Sequence, residues 1–313
     1  MALKIVFMGT PDFARDSLKS IVQAGHDIKL VVTNPDKPKG RGMKMVPSEV
    51  KIYALENGLK IEQPQRVRNN PEFVQKLKDI NPDVICVVAY GKIIPKEILE
   101  IPRLGCINVH GSLLPKYRGA APIQWAVLNG DKETGITTMY MDEGMDTGDI
   151  ILTKKVEIGD DETTGELWDR LSQIGGKLLV ETLEKIENGT NSRTKQPIEF
   201  TLAPMIDKEI AKIDWNNKTS QEIKNLVRGL NPFMGAYTFY HDKKIKIWKV
   251  NILDEKTDKI PGTVLVSNPK DGLKIATIDG CISVLEIQGE NSKKMSVFDY
   301  LRGNSIEVGT RFN

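Results

Sequence analysis

The sequence predicts an α/β protein with a mostly parallel sheet in its first part and a small β-barrel in its last third. Two observations support this fold class. Strand-like and helix-like runs alternate up to about Glu187, and short strand-like runs separated by turn residues fill the chain after residue 230. In addition, 313 residues are enough for two domains, each with its own core.

The first part alternates between apolar strand-like runs and amphipathic helix-like runs. Strands are predicted over Leu3–Met8, Ile28–Thr33, Val84–Ala89, Cys106–His110, Thr137–Met141 and Ile150–Val156. Helices are predicted over Phe13–Ala24, Val46–Asn57, Pro71–Ile80 and Glu166–Glu187. This alternation is typical of a parallel sheet covered by helices. A glycine follows the first strand, but the G-x-G-x-x-G fingerprint of dinucleotide sites is absent, which excludes a nicotinamide or flavin site there.

The pattern changes after Gly189. Residues Thr190–Pro204 are polar and include two prolines, which predicts a linker. A short helix is predicted after it, and five strands follow; the ranges are Ser220–Gly229, then Ala236–Tyr240, Lys244–Ile252, Gly262–Val266, Leu273–Thr277 and Ile282–Ile287. We therefore expect one domain at residues 1–189, a linker at 190–207 and a second domain at 208–313.

Composition excludes several classes of protein. Hydrophobic residues make up 40% and charged residues 27%, which is ordinary for a globular protein, and no run approaches the roughly 20 apolar residues of a membrane span. Met1 leads directly into the first strand, so we expect no signal peptide and a cytoplasmic location. Three scattered cysteines and three histidines predict neither a disulfide framework nor a metal site.

Charge is unevenly distributed along the chain. The formal net charge is +2, but residues 208–313 carry 17 Lys or Arg against 13 Asp or Glu. A mildly basic last third is compatible with a polyanionic partner, and equally with a solvated surface.

Asn108 and His110 form the most informative pair in the sequence. They lie two residues apart in the apolar run Cys106–His110, so on a strand their side chains point to the same face. Burying two polar side chains without partners costs about 1–3 kcal/mol each, and ligands of open α/β sheets bind at the carboxyl ends of strands. A neighbouring amide and imidazole suit acyl transfer, because both can stabilise an oxyanion and the imidazole can move protons.

An acidic loop follows at residues 141–149, with the sequence M-D-E-G-M-D-T-G-D. Its spacing lacks the glycine and glutamate positions of a calcium loop, so we interpret Asp142, Glu143 and Asp149 as ordinary surface carboxylates. One carboxylate of this loop placed against His110 would orient the imidazole and favour its charged form.

The stretch N-V-H-G-S-L-L-P-K-Y-R-G-A-A-P-I, followed by M-D-E-G-M-D-T-G-D, resembles the folate-dependent formyltransferases. The similarity runs nearly end to end. It includes F-M-G-T-P-D-F near the start, N-P-D-K-P-K-G-R-G after the second strand, and I-D-W, V-R-G-L-N-P, D-Y-L-R-G and G-T-R in the last third. The C-terminal pieces favour the members of the family that act on tRNA.

The resemblance implies a Rossmann-like formyltransferase N-terminal domain and a smaller OB-like β-barrel that contacts tRNA. It assigns Asn108, His110 and Asp146 as the catalytic residues. It places tetrahydrofolate against the loop after the predicted strand and against the acidic loop, with the binding residues Ser112, Leu113, Leu114, Pro115, Met141 and Gly144.

The resemblance also implies an activity. The chain is expected to transfer the formyl group of 10-formyltetrahydrofolate to the free amine of initiator methionyl-tRNA, without a metal or a membrane, and as a monomer. The alternatives are a sugar-nucleotide N-formyltransferase, a formyltetrahydrofolate hydrolase with the same three residues, or a non-catalytic tRNA-binding module.

A basic loop at residues 37–44 is the second feature to which the resemblance gives a role. In the resembled family this loop inserts at the acceptor end of the initiator tRNA, with Arg41 contacting bases through its planar guanidinium. From residue type alone, the loop is equally well a mobile, solvated surface. Its basic residues are Lys37, Lys39, Arg41 and Lys44.

The sequence departs from the family pattern at one turn. Asn231–Gly235 reads N-P-F-M-G where the family has P-W-P-G, so the resemblance does not predict the conformation of that turn.

Overall fold

A computed structural model of the protein describes residues 2–39 and 43–313. The elements up to the end of a 24-residue helix are β1 (Lys4–Gly9), α1 (Asp12–Gln23), β2 (Asp27–Val32), β3 (Lys37–Lys39), β4 (Lys44–Val46), α2 (Glu49–Glu56), β5 (Ile61–Glu62), α3 (Pro71–Ile80), β6 (Val84–Val88), α4 (Lys96–Leu99), β7 (Cys106–His110), α5 (Pro122–Leu128), β8 (Glu133–Tyr140), β9 (Ile150–Glu157) and α6 (Thr164–Glu187). The remaining elements are α7 (Ser220–Gly229), β10 (Ala236–Tyr240), β11 (Lys243–Leu253), β12 (Val264–Asn268), β13 (Gly272–Ala276), β14 (Cys281–Gln288), β15 (Met295–Ser296) and α8 (Val297–Gly303).

The chain divides into two compact units. The first contains the described residues up to Pro122, Glu133–Glu157 and Trp168–Pro204, and the second contains Ile123–Lys132, Ile158–Leu167 and Met205–Asn313. Residues 190–204 of the expected linker therefore group with the first unit. The two short segments at 123–132 and 158–167 group with the second unit, although both lie within the range expected for the first domain.

The sheet of the first unit has seven strands in the order β5-β2-β1-β6-β7-β8-β9. The pairs from β5 to β7 are parallel, whereas β8 and β9 continue the sheet antiparallel. The expected α/β class and mostly parallel sheet are thus confirmed. The order puts β7 in the interior of the sheet, with its carboxyl end beside that of β6.

Helix α6 lies against the face of the sheet opposite to Asn108 and His110. An added Cβ at Gly175 would be 3.2 Å from Val109 Cγ1, so glycine at this position lets the helix approach the strand closely. The neighbouring Gly176 meets Ser20 of α1 in the same way. This packing holds β7 on the face of the sheet opposite to Asn108 and His110.

The second unit is built on an antiparallel sheet in the order β10-β11-β14-β13-β12, with β15 on β14. Residues 310–313 hydrogen-bond to Gly262 and Val264 on one side and to Phe239 of β10 on the other, so this segment connects the two edges of the sheet. The ring closed in this way is the barrel-like arrangement that the sequence predicts.

The turn that departs from the family pattern is closed by backbone hydrogen bonds. The amides of Met234 and Gly235 both donate to Leu230 O, at 2.9 and 3.0 Å. Gly235 has φ +74°, and a Cβ there would meet the Trp248 ring at 2.8 Å. The turn therefore forms without the second proline, because glycine supplies the conformation and the space.

Some predicted boundaries were wrong. The helix expected at Val46–Asn57 begins only at Glu49, after Ser48 caps it by accepting a hydrogen bond from Lys51 N, and Val46 belongs to a strand instead. Helix α8 and the short elements β3, β4, β5, α4 and β15 were not predicted. Among residues 2–39 and 43–313, no helix is long and apolar enough to cross a bilayer.

Candidate active site

β7 carries Asn108 and His110 on one face, as their spacing predicts. Asn108 pairs with Val87 of β6 and Met139 of β8, and His110 pairs with Thr137 of β8. His110 is 5% exposed, whereas Asn108 retains part of its surface. The strand therefore presents a partly accessible amide next to a buried imidazole.

Asp146 joins the pair from the loop between β8 and β9. Its Oδ1 accepts a hydrogen bond from Asn108 Nδ2 at 3.4 Å, and its Oδ2 lies 3.6 Å from His110 Nδ1. The Gly119 amide donates to the same Oδ2 at 2.8 Å. The three side chains named by the resemblance are thus brought together, and the carboxylate is positioned by a backbone donor that sequence reasoning missed.

The imidazole of His110 has acceptors next to both of its nitrogens. Nε2 lies 2.9 Å from the carbonyl oxygen of Tyr117, which can only accept, so this nitrogen carries a hydrogen. Nδ1 faces the carboxylate of Asp146. The ring can therefore donate a hydrogen bond from Nε2 while its Nδ1 edge lies beside the carboxylate.

Hydrogen bonds within the acidic loop stabilise its conformation. Asp142 Oδ1 accepts hydrogen bonds from Gly144 N at 3.0 Å and Thr147 Oγ1 at 2.6 Å. Asp146 has φ +54°, a left-handed conformation that Asp tolerates better than most residues. The loop therefore holds Asp146 in a left-handed turn beside β7.

The other acidic residues of this loop behave as ordinary surface carboxylates. Glu143 pairs with Lys96 at 3.3 Å on the exposed surface, and the partly exposed Asp149 pairs with Arg193 at 3.2 Å. In the part of the chain that the structure describes, no group of His, Cys, Asp or Glu could hold a metal ion.

The residues predicted to bind folate divide into two groups. Ser112 and Leu114 are buried and stabilise their own loop: Ser112 Oγ donates to Lys116 O at 2.6 Å, and Leu114 N donates to Thr137 Oγ1 at 3.1 Å. The others keep accessible surface; they are Leu113, Pro115, Met141 and Gly144.

A second polar cluster lies where β1, β2 and β6 end. Asn34 Nδ2 donates to Tyr90 O at 2.8 Å and to Thr10 Oγ1 at 3.0 Å. The Tyr90 hydroxyl is buried without a hydrogen-bond partner among the described residues, and burial raises its pKa to about 12. Sequence reasoning missed Asn34 and Tyr90, although both follow strands whose carboxyl ends meet at one edge of the sheet.

Comparison with known proteins assigns the chain to a family. Residues 3–183 match the family described as "Formyl transferase", and residues 205–305 match "Formyl transferase, C-terminal domain". The chain is 53% identical over 308 residues to "Methionyl-tRNA formyltransferase" of Clostridioides difficile (strain 630), covering 98% of this chain and 99% of that protein. The chain belongs to the methionyl-tRNA formyltransferase family.

Solved structures share the fold of this family member. An N-formyltransferase from Helicobacter canadensis, solved with folinic acid and dTDP-3-aminofucose, aligns with a TM-score of 0.67 at 24% identity, over 93% of this chain and all of that one. HypX from Aquifex aeolicus, solved with tetrahydrofolic acid, aligns with a TM-score of 0.66 at 16% identity, over 99% of this chain and 51% of that one. At these identities the likeness concerns the fold alone.

A small hairpin of this formyltransferase carries three of the residues predicted to bind tRNA, Lys37, Lys39 and Lys44. Lys37 and Lys44 are exposed on the paired strands β3 and β4, so the basic segment is structured where it is described. Arg41 lies outside the described residues, and only the backbone of Lys39 is described. Beside the hairpin, hydrogen bonds from Lys51 and then Gln63 lower the pKa of the Asp36 carboxyl, which ties the start of the hairpin to α2.

Proposed function

We propose that this chain transfers the formyl group of 10-formyltetrahydrofolate to the α-amino group of initiator methionyl-tRNA. The observation that carries the proposal is the convergence of Asn108, His110 and Asp146 at the carboxyl end of β7, in a chain about half identical to proteins named for this activity. We further propose that it works as a monomer in the cytoplasm.

The reaction needs an oxyanion stabiliser and a route for one proton. The amine nitrogen attacks the formyl carbon, and a C–N bond forms while the carbonyl oxygen becomes an oxyanion. Asn108 Nδ2 donates to that oxygen, and the positive charge of His110 stabilises it. Asp146 holds the charged ring and accepts the proton that the attacking amine loses, directly or through water. The bond from carbon to N10 of the folate then breaks, N10 takes a proton, and tetrahydrofolate leaves.

The residues around the three side chains fit a folate. Met141 packs against the apolar cluster that contains Tyr90, and Leu113 keeps part of its surface, so apolar area lies close to polar groups. A flat ring with a hydrogen-bonding edge needs both kinds of surface. We propose Ser112 and Leu114 as supports of this site and Leu113, Pro115, Met141 and Gly144 as its lining.

Neither alternative enzyme is favoured by a specific observation. The N-formyltransferase from Helicobacter canadensis, solved with dTDP-3-aminofucose, shares the fold at 24% identity, far below the 53% identity to a methionyl-tRNA formyltransferase. We also propose that the catalytic domain extends through Pro204, since residues 190–204 group with the first unit, and that the second unit contacts tRNA.

Formyl transfer by the purified chain tests the proposed activity. Labelled 10-formyltetrahydrofolate is supplied with methionyl-tRNA, with a dTDP-aminosugar, or with no acceptor, and label in N-formylmethionine, N-formylsugar and formate is measured. We expect label on methionyl-tRNA at a rate at least about 100-fold above the other two. Label only in the sugar or only in formate would overturn the proposal in favour of the corresponding alternative.

The basic segment calls for a separate test. Arg41→Ala is expected to raise KM or lower kcat for methionyl-tRNA about 10-fold while folate affinity stays unchanged, because a planar guanidinium suits base contacts. Arg41→Lys should restore little. Equal activity of Arg41→Lys and wild type would mean that the loop supplies only charge, and full activity of Arg41→Ala would remove it from recognition.

A further inference from the structure

Residues 190–204, which we name the strap, run back along the loops that form the candidate site. Near its start, Thr194 and Ile150 exchange backbone hydrogen bonds at 2.8 and 3.0 Å. Near its end, Ala203 N donates to Arg118 O at 2.8 Å, and Arg118 N donates to Thr201 O at 2.8 Å. The strap is therefore fixed at two places on the first unit, and the stretch between them faces the acidic loop.

Gln196 lies in that stretch, and each hydrogen-bonding group of its side-chain amide has a partner. Its Nε2 donates to Asp146 O and to Gly148 O, both at 2.8 Å, and its Oε1 accepts from Arg118 Nε at 3.0 Å and Nη2 at 2.7 Å. A glutamine has two amide hydrogens and two lone pairs on its oxygen, so all of its hydrogen-bonding capacity is satisfied. The amide connects the turn containing Asp146 to the buried Arg118.

These contacts close a ring around the catalytic carboxylate. Arg118 holds Gln196, Gln196 holds the carbonyl of Asp146, and the amide of Gly119, next to Arg118 in the chain, donates to Asp146 Oδ2. The Arg118 guanidinium itself stacks on Phe200 of the strap, with its carbon 4.6 Å from the ring centroid. Both the backbone and the carboxylate of Asp146 are thus hydrogen-bonded to groups that Arg118 connects.

We propose that Gln196 is a positioning residue for Asp146, and that Arg118 keeps Gln196 in place. The proposal rests on the proposed function, because it gives Gln196 a role only in the reaction that Asp146 serves. Asp146 needs such support because its left-handed turn does not by itself fix where the carboxylate points. A shift of the carboxylate by about 1 Å relative to His110 is enough to cost about 100-fold in rate.

Two substitutions of Gln196 separate its contacts. Gln196→Met keeps the length of the side chain but removes all of its hydrogen bonds. Gln196→Glu keeps an acceptor for Arg118 and places an oxygen against the carbonyls of Asp146 and Gly148, which repels them. Glu199→Gln, an exposed change on the same strap, is the matched control.

The experiment is a double-mutant cycle with Asp146→Asn in the full chain, with kcat and both KM values measured for each variant. We expect Gln196→Met and Gln196→Glu to lower kcat about 10–100-fold, with KM for folate and tRNA within about 3-fold of wild type. In the Asp146→Asn background, the same changes should lower kcat less than about 2-fold, because the group they position is already lost. Glu199→Gln should match wild type in both backgrounds.

Equal losses from Gln196→Met in the two backgrounds would show a general structural role and overturn the proposal, as would wild-type kcat in both variants. If Gln196→Met does not fold, as judged by its thermal transition, Gln196→Glu alone completes the cycle. An inactive wild-type chain, or an undiminished Asp146→Asn variant, would instead count against the proposed function and the catalytic trio, so the two failures are distinguishable.

Discussion

β7 and the strap both reach the candidate active site, but they are stabilised in different ways. β7 is a buried strand with a neighbour on each side, and it lies against α6 through Val109. The strap is largely exposed, belongs to neither named sheet, and is held by hydrogen bonds at its two ends and by Gln196 between them. One region owes its position to burial and the other to polar contacts.

This difference implies unequal stability within one site. A net hydrogen bond contributes about 0.5–1.5 kcal/mol, whereas each fully buried large apolar side chain contributes about 1.5–3 kcal/mol. Segments held mainly by exposed hydrogen bonds open more readily than core strands. Asn108 and His110 therefore lie on a rigid base, while the placement of Asp146 depends on the weaker region.

The largest effect is expected on β7 itself. His110→Ala and Asn108→Ala should each lower kcat about 100–1,000-fold, because each removes a group that we propose to stabilise the oxyanion. Folate affinity should remain within a few-fold, because the hydrogen bonds of Ser112 and Leu114 that stabilise the predicted folate loop stay in place. Steady-state formyl transfer at saturating substrates measures kcat, and fluorescence titration measures folate binding. A variant that keeps more than about a tenth of wild-type kcat would contradict the role of that residue.

The next largest effect is expected from a substitution at Gly119, where the strap contacts the site. Gly119 has φ +123°, and a Cβ there would lie 2.8 Å from Ala203 O, so Gly119→Ala should displace the strap and the amide that holds Asp146. We expect kcat to fall about 10–100-fold.

Gly189→Ala is the matched control for Gly119→Ala. Gly189 also has a positive φ, +66°, but an added Cβ meets no atom of the described residues within 4 Å. It should cost about 1–2 kcal/mol of stability from the left-handed backbone and leave kcat unchanged. Equal kcat losses in the two variants would mean that backbone strain, and not the strap contact, is responsible.

The contrast between the two regions also explains what the sequence could predict. β7 was predicted with its observed limits, Cys106–His110, because an apolar run with polar residues two apart is a local pattern. The same holds for α3, α7 and β10, whose limits were also predicted. The approach of Asp146 to His110 came from the family resemblance and not from any local pattern.

The strap could not be predicted in the same way. Its polar composition and two prolines indicate a linker, and nothing in residues 190–204 encodes their partners locally. Gln196 forms hydrogen bonds with Gly148, Asp146 and Arg118, which are separated from it by 48, 50 and 78 positions in the sequence. Contacts over such distances leave no periodicity in the sequence. The amide of Gly119 and the carbonyl of Tyr117 are invisible for a further reason: backbone groups are the same at every position.

Hydrogen exchange measures the difference in stability between the strap and β7 directly. Hydrogen exchange at the amides of Thr194 and Ala203, which pair with Ile150 and Arg118, should be at least about 10-fold faster than at Val109 of β7. Gln196→Met should accelerate exchange in the strap and leave Val109 unchanged. Equal protection of strap and strand in wild type would show that the two regions unfold together, and would remove the distinction drawn between them.

The smallest effect is expected at the opposite end of the first sheet, at a residue that belongs to neither region. His26 Nδ1 accepts a hydrogen bond from Leu3 N, and burial lowers the pKa of its imidazole below 6.5. Below pH 6.5 the unfolded chain therefore binds a proton that the folded chain does not, and stability falls as the pH is lowered toward the folded-state pKa. Because the ring keeps part of its surface accessible to solvent, the loss should stay under about 1 kcal/mol.

His26→Gln should flatten the dependence of Tm on pH between 7.5 and 5.5, where Asp and Glu contribute little. His26→Gln should not alter kcat at pH 7.5, because His26 is distant in the sheet from the carboxyl end of β7 and contacts neither Asp146 nor the strap in the described structure. A steeper slope in His26→Gln would mean that the folded state prefers the charged ring. A loss of kcat would mean that the site depends on a third region, besides the buried strand and the hydrogen-bonded strap.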